Sequence, residues 1–218
     1  MEKIVEICCG SYEDALAAYR GGAKRIELNS ALYLGGLTPS VGTLLLTKKH
    51  TDLNVVAMVR PRAAGFCYSD TDFEVMEQDT ELLMKNGADG IAFGCLDAQA
   101  RLHEAQIRKI VQIIDRYHGE AVFHRAFDCV QDQDSAMEAL IDMGICRVLT
   151  SGGKAKAMDG AEQIAALQKK YGDRIQIVAG SGVNAGNAAE RMEKTGIRQV
   201  HSSCKGWLCD PTTTGPDV

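Results

Sequence analysis

Short apolar runs alternate along the chain with segments whose apolar residues recur at helical spacing. One phrase returns four times, as GGAKRIEL, NGADGIAF, MGICRVLT and TGIRQVHS. In each copy a glycine that ends a helix is followed by a strand. Successive copies are separated by about twice the length of a βα unit, so each interval holds one more strand and helix. The intervening apolar runs LNVVAMVR, EAVFHRAF and RIQIVAG, together with KIVEICC at the start, bring the number of predicted strands to eight.

Strict alternation of strand and helix predicts a parallel sheet with right-handed crossovers. Eight such units favour closure into a (β/α)₈ barrel of the TIM type, with an open doubly wound sheet as the alternative. No linker or shift in composition divides the chain, so we predict one domain over residues 1–218, with the barrel over 1–203. Residues 204–218 are rich in Pro, Gly and Thr, which predicts an irregular tail in place of a regular eighth helix.

Composition narrows the range of partners. The chain has 218 residues, a formal net charge of -5 and no basic stripe, which disfavours nucleic acid and anionic membranes. No apolar run reaches the roughly 18 residues that span a bilayer, and the start of the chain lacks a signal-like apolar region. We therefore expect a cytoplasmic protein whose eight cysteines are free thiols.

Charged side chains gather where several predicted strands end. The run VFHRAFD changes from apolar to polar within a few positions, as expected where a strand leaves the core at its carboxyl end. Strand alternation places Glu27 and Asn29 inside the barrel, and also Glu6 and Cys8. Such a cluster is either a self-neutralising network or an acid–base site that holds an anionic substrate. The candidate catalytic residues are Glu6, Glu27, His124 and Asp128, and the candidate anion-binding arginines are Arg60 and Arg62.

The last three strands end in glycine and serine, within LTSGG, AGSGVN and HSSC. Backbone N–H groups exposed in such loops before a helix can hold phosphate or carboxylate. Ordinary turn and capping chemistry is the alternative explanation for the same residues. The candidate anion-binding residues in this region are Ser151, Gly152, Gly180, Ser181, Gly182 and His201.

Two long loops, over residues 31–40 and 60–70, lie at the predicted site end of the barrel. They could form a partial lid over the site. Their exposed apolar side chains would equally favour association. We expect a homodimer or a higher homo-oligomer.

The stretches RIELNSALYLGGLTPS, MVRPRAAGFCYSDTDFEVM and VFHRAFD resemble the CutC family, and the resemblance runs through about His201. It implies a TIM-type barrel and a role in copper homeostasis, with Cu(I) bound through cysteines. Cys8 matches the family's cysteine at the end of strand one, whereas Asn29 stands where the family has a second cysteine. Cu(I) prefers sulfur ligands, so Cys8 is the candidate metal ligand, and Cys9, Cys95 or Cys129 would have to supply the missing sulfur.

Two functions remain open on the sequence alone. The first is a CutC-type copper-homeostasis protein, with a copper ion as its partner. The alternative is a TIM-barrel lyase, isomerase or hydrolase that acts on a small phosphorylated or carboxylated compound, with Glu and His moving protons and Arg binding the anion. The sequence does not decide whether the protein is an enzyme, and in either case the expected partner is a copper ion or a small anion.

Overall fold

A computed structural model describes residues 3–206. Eight parallel strands pair in chain order, and β8 pairs back onto β1, so the sheet is a closed barrel. The predicted (β/α)₈ architecture is confirmed, and the open sheet is excluded. The strands are β1 (Ile4–Cys9), β2 (Arg25–Leu28), β3 (Asn54–Met58), β4 (Gly90–Phe93), β5 (Glu120–Phe123), β6 (Arg147–Thr150), β7 (Gln176–Ala179) and β8 (Gln199–Ser202).

The described residues contain seven α-helices, one after each of the first seven strands. Two short 3₁₀-helices, Leu32–Leu34 and Arg125–Cys129, follow β2 and β5. None of the described helices is long and apolar enough to cross a membrane. The helices are α1 (Tyr12–Arg20), α2 (Val41–His50), α3 (Asp70–Lys85), α4 (Glu104–Asp115), α5 (Gln133–Asp142), α6 (Ala161–Tyr171) and α7 (Ala188–Thr195).

Polar caps fix where the helices begin. The Ser11 side chain accepts a hydrogen bond from the backbone of Asp14, which satisfies an N–H group that the first turn of α1 leaves free. At α3, Ser69 and Asp72 cap each other's backbone reciprocally. After β8 the described residues 203–206 form no helix, and the rest of the predicted tail lies outside the described residues.

The main hydrophobic core lies between the sheet and the helices. Outward residues of the strands, such as Ile26, Val55 and Ile91, are fully buried there. The barrel interior holds a separate small apolar cluster of Val56, Met58, Ala92 and Val122. Because this cluster comes from β3, β4 and β5, the polar side chains of the other strands occupy the remaining interior.

The amino end of the barrel is closed by a hydrogen-bonded polar plug. Arg147 donates to Glu120 at 2.8 Å and to Gln176 at 3.1 Å. Gln199 donates to Gln176 at 2.7 Å and accepts from Arg25 at 2.6 Å. These residues pair two guanidinium groups with carboxylate and amide oxygens, as buried charges require. This neutralised network is formed by residues other than the predicted functional residues, and Arg25 connects it to Glu6.

Candidate functional site

Three metal-ligating side chains meet where β8, β1 and β2 end. One ligand atom from each of Cys8, Glu27 and His201 lies within 4.8 Å of the other two. The Cys8 Sγ is 3.8 Å from Glu27 Oε2, and the His201 Nε2 is 3.9 Å from the same oxygen. The arrangement follows from the fold, because β1 pairs with both β2 and β8 and side chains alternate along each strand.

Two further residues orient this cluster. Glu6 Oε1 lies 2.9 Å from His201 Nδ1, while Glu6 Oε2 accepts from Arg25 at 2.6 Å. This carboxylate leaves the other imidazole nitrogen of His201 directed at Glu27, as in the carboxylate–histidine pairs that support metal ligands. Asn29 donates to Glu27 Oε2 at 3.0 Å and approaches Cys8 Sγ at 3.5 Å. Asn29 therefore contacts two members of the cluster and helps to position them.

Burial and neighbouring charges set the protonation of the cluster. Burial alone would raise the pKa of Glu6, but hydrogen bonding and the charge of His201, together with Arg25, lower it to about 2. Burial opposes protonation of His201, yet the carboxylates of Glu27 and Glu6 raise its pKa well above 6.5. Burial raises the pKa of Glu27 and that of the Cys8 thiol. Binding of a metal cation here would therefore compete with protons.

The opposite side of the mouth carries His124, which is buried in the structure. Burial and the charge of Arg60 lower the pKa of His124 to about 3, so the imidazole is neutral at physiological pH. Its Nδ1 accepts from the backbone N–H of Ala126 at 3.2 Å, which assigns the single proton to Nε2. A Cβ on Gly94 would approach this ring to 2.6 Å, so glycine is required there for the ring to lie over β4.

Arg60 holds two loops together above the barrel. Its guanidinium donates to the carbonyls of Leu34 and Gly36, each at 3.1 Å, and to that of Ala64 at 2.6 Å. The first two belong to the loop after β2 and the third to the loop after β3. Arg60 and His124 follow the ends of β3 and β5, and both are buried.

The structure shows contacts that maintain the fold at Asp128, and the catalytic role predicted for this residue stays a prediction. This carboxylate accepts hydrogen bonds from Arg125 at 2.9 Å, from Thr150 at 2.6 Å and from the backbone and hydroxyl of Ser151 at 2.9–3.0 Å. Gly153 N–H adds a further bond at 3.0 Å. With its acceptor sites occupied, Asp128 fastens the end of β5 to the loop after β6.

The anion-binding role predicted for Ser151 and Gly152 also stays a prediction, and in the structure their N–H groups have other partners. The N–H of Ser151 points at Asp128, and that of Gly152 donates to the Thr150 hydroxyl at 2.9 Å. The protein's own carboxylate thus occupies the cradle that the sequence suggested for phosphate. Gly152 has φ +70° and packs directly against the backbone of Gly160, which explains why this position requires glycine.

The glycine–serine segment after β7 contacts β6, the loop after β6 and its own loop. Gly180 donates to Thr150 at 3.0 Å, and the Ser181 hydroxyl donates to the Ala155 carbonyl at 2.6 Å. The Gly182 carbonyl accepts from Asn187 at 2.9 Å. An anion-binding role for Gly180, Ser181 and Gly182 stays a prediction.

Arg62 does not join the other site residues. Its side chain is 39% exposed, pairs with Asp72 at 2.8 Å and donates to the Cys67 carbonyl at 2.8 Å. It also lies over the ring of Tyr68, 5.0 Å from its centroid. These contacts place Arg62 at the start of α3, and the anion-binding role predicted for it stays a prediction.

None of the three cysteines considered as replacements joins the cluster. Cys9 and Cys95 are buried in the core on the outer side of the barrel, and Cys129 is exposed. Instead the third donor is His201, which the sequence assigned to anion binding. Closure of the barrel was the signal that could have found it, because closure makes β8 the neighbour of β1.

Fold and site together define a single (β/α)₈ barrel protein with a titratable cluster of donor groups at its carboxyl end. The chain belongs to the CutC family, whose family model matches residues 3–206. A CutC protein of Treponema denticola is 46% identical over 96% of this chain and 84% of its own length. One from Caulobacter vibrioides is 39% identical over 93% and 82%.

A solved structure agrees with this family membership. It is CutC from Streptococcus agalactiae, whose name proposes a role in copper homeostasis. It is 27% identical, covers 92% of this chain and 98% of its own, and superposes with a TM-score of 0.87.

Proposed function

We propose that this CutC-family protein acts in copper homeostasis by binding a copper ion at Cys8, Glu27 and His201. The observation that supports the proposal is the meeting of a thiol, an imidazole and a carboxylate within 4.8 Å at the barrel mouth. The name of the Streptococcus agalactiae relative points to the same function.

The chemistry of the three donors suits copper. Thiolate selects Cu(I), and imidazole is a good ligand for copper in either common oxidation state. His201 and Cys8 are the principal ligands in this proposal, with Glu27 completing the charge balance. Glu6 holds the imidazole through Nδ1, and such supporting carboxylates typically contribute a factor of about 10–100 in metal affinity.

An anaerobic Cu(I) titration against a competing chelator tests the proposal. Cys8→Ser and His201→Gln should each weaken binding at least about tenfold, because each removes a ligand. Cys67→Ser is the matched control, since Cys67 is an exposed cysteine outside the cluster. Failure of the wild-type protein to compete, or equal affinity for Cys8→Ser and Cys67→Ser, would contradict copper binding at this site.

A second candidate function is proton transfer on a small carboxylated compound. It is favoured by the raised pKa of Glu27, because a carboxyl group that retains its proton more readily can serve as a general acid. A carboxylated substrate is preferred to a phosphorylated one because Asp128 already fills the cradle after β6. Solvent deuterium incorporation into short carboxylic acids with an acidic C–H bond tests this, and Glu27→Gln should abolish it.

The setting proposed for either function is a cytoplasmic homo-oligomer. Exposed apolar side chains support association, among them Tyr33 at 88% and Leu45 at 47% exposure. Sedimentation of the purified chain tests this, and a monomer at micromolar concentration would contradict it.

A further inference from the structure

Arg60 is a buried cation without an anionic partner. It is 7% exposed, and no carboxylate in residues 3–206 forms an ion pair with it. Its terminal nitrogens donate to loop carbonyls, and its Nε–H finds no acceptor there. A guanidinium withdrawn from water normally has a counter-charge, because its desolvation is otherwise too costly. The lack of a carboxylate partner for Arg60 among the described residues is the first observation that points to a bound anion.

His124 provides a second buried donor without an acceptor. It is 4% exposed, and its Nε2 has no hydrogen-bond partner in the described part of the chain. The proton lies on Nε2, since Nδ1 accepts from the backbone of Ala126. An unpaired buried N–H group destabilises the folded protein, so a native site that keeps one usually has a use for it.

The two donors lie beside the same aromatic ring. The ring centroids of Phe66 and His124 are 4.9 Å apart, and the Arg60 Cζ is 5.3 Å from the Phe66 centroid. Arg60 also acts electrostatically on His124, consistent with their proximity. Phe66 comes from the loop after β3 and packs over both groups, so a guest must move this side chain to enter.

We infer that the N–H groups of Arg60 and His124 bind the carboxylate of a small organic acid at the β3–β5 side of the mouth. A carboxylate matches in charge, because Arg60 supplies one positive charge and the neutral imidazole adds none. It also matches in the number of acceptors, because its two oxygens can each accept from one of the two unpaired donors. A phosphate dianion would leave a second negative charge buried without a partner.

This inference rests on the second candidate function and specifies its substrate class. It is independent of copper binding, which uses side chains of β1, β2 and β8. The carboxylate site and the Cys8–Glu27–His201 cluster occupy opposite sides of one mouth. An acid held by Arg60 and His124 would therefore present its other end toward Glu27.

The test is a titration of the full chain with acetate at neutral pH. The NMR resonance of the His124 Nε2–H group reports binding. We expect saturable binding in the millimolar range, as the few atoms of acetate allow. Inorganic phosphate at the same concentration should leave the resonance unshifted. His124→Phe keeps a ring against Phe66 but lacks the Nε2–H group, so its binding is followed by the NMR shifts of neighbouring backbone amides. This variant should bind acetate at least about tenfold more weakly. His50→Phe is the control, because His50 lies on α2 and contacts Tyr12 instead.

Absence of an acetate shift in the wild-type protein would overturn the inference, as would equal affinity for wild type and His124→Phe. Equal binding of phosphate would overturn the assignment to carboxylates. Copper titration of the same variants separates this result from the first proposal, because His124→Phe should leave Cu(I) affinity unchanged. Acetate binding without deuterium incorporation into any acid would retain the site and reject the proton-transfer function.

Discussion

Asp128 and Glu27 are carboxylates at the same end of one barrel, and their surroundings differ. Asp128 receives hydrogen bonds from Arg125, Thr150, Ser151 and Gly153, all of which fix the loop after β6. Glu27 has one short hydrogen bond, from Asn29, and two longer approaches to other members of its cluster. Burial raises its pKa, so it retains a proton more readily than a solvated carboxyl group.

The contrast separates a carboxylate that maintains the fold from one available for chemistry. A buried anion whose acceptor sites are occupied stabilises the loop but has no free lone pair for a ligand. A buried carboxylate with few donors remains costly, and function is a reason for the fold to keep it. The same distinction applies to the arginines, because Arg62 has a carboxylate partner and Arg60 has none among the described residues.

The largest effect should come from Asp128→Asn. The variant places an amide where several N–H and O–H donors converge, so part of the network loses its acceptor. We expect the free energy of unfolding to fall by about 3 kcal/mol, as for other broken buried networks. Urea denaturation measures it. Glu138→Gln is the control, since Glu138 forms an exposed pair with Arg174 and should cost under about 1 kcal/mol. Equal losses of stability in the two variants would show that Asp128 contributes no more to the fold than an exposed ion pair does.

The next effect is a pH dependence that His124 produces. Its pKa is about 3 in the folded protein and near 6.5 when unfolded, so below pH 6.5 the unfolded chain takes up a proton that the folded chain does not. Stability must therefore fall as pH falls from about 6.5 toward 3, with a slope that approaches about 1.4 kcal/mol per pH unit. The groups that act on His124 are the guanidiniums of Arg60 and Arg125.

Comparison of wild type with His124→Phe isolates this slope from that of other groups. Glu6 contributes its own loss only as pH falls below about 4.5 toward 2, so denaturation between pH 6.5 and 5 is the clean window. Parallel stability curves for the two proteins in that window would show that His124 is not held neutral.

Much of this fold could be predicted from the sequence, because hydrophobic periodicity and the residues that end helices are local features. Hydrophobic periodicity predicts the strands and the helices between them. Side-chain alternation within a strand predicts that Glu6, Glu27 and Asn29 face inward, where all three are buried. The site predictions that the contacts support least concern residues beyond the strand ends. Asp128 lies in a 3₁₀-helix and Arg62 in a loop, where no period directs the side chain. Their partners, Thr150 and Asp72, depend on how separate segments pack.

The site was predicted less completely than the fold. His201 was expected at the mouth, but its proximity to Cys8 required knowing that the barrel closes between β8 and β1. Ser151 and Gly152 have the composition of an anion cradle, yet only the structure shows that Asp128 fills it. Local sequence therefore specifies which groups are present, and tertiary packing decides which of them remain free.

A smaller effect on stability, with a large effect on binding, should distinguish Glu27→Gln. The substitution preserves the shape and leaves His201 paired with Glu6, so the free energy of unfolding should change by less than about 1 kcal/mol near pH 7. Copper affinity should nevertheless fall at least about tenfold if Glu27 supplies a ligand oxygen. Denaturation and Cu(I) competition on one preparation measure both quantities. A loss of stability as large as that of Asp128→Asn, with copper binding intact, would assign Glu27 to the fold.

The smallest effect should come from Arg62→Ala. Although Arg62 follows Arg60 by two positions, its half-exposed guanidinium pairs with Asp72 and is screened by solvent. Such pairs contribute about 0–1 kcal/mol, so denaturation should show little change. Acetate affinity should also be unaltered, since Arg62 turns toward α3 and Tyr68. If Arg62→Ala weakens acetate binding as much as His124→Phe does, the anion reaches Arg62 as well. That result would support anion binding by both Arg60 and Arg62.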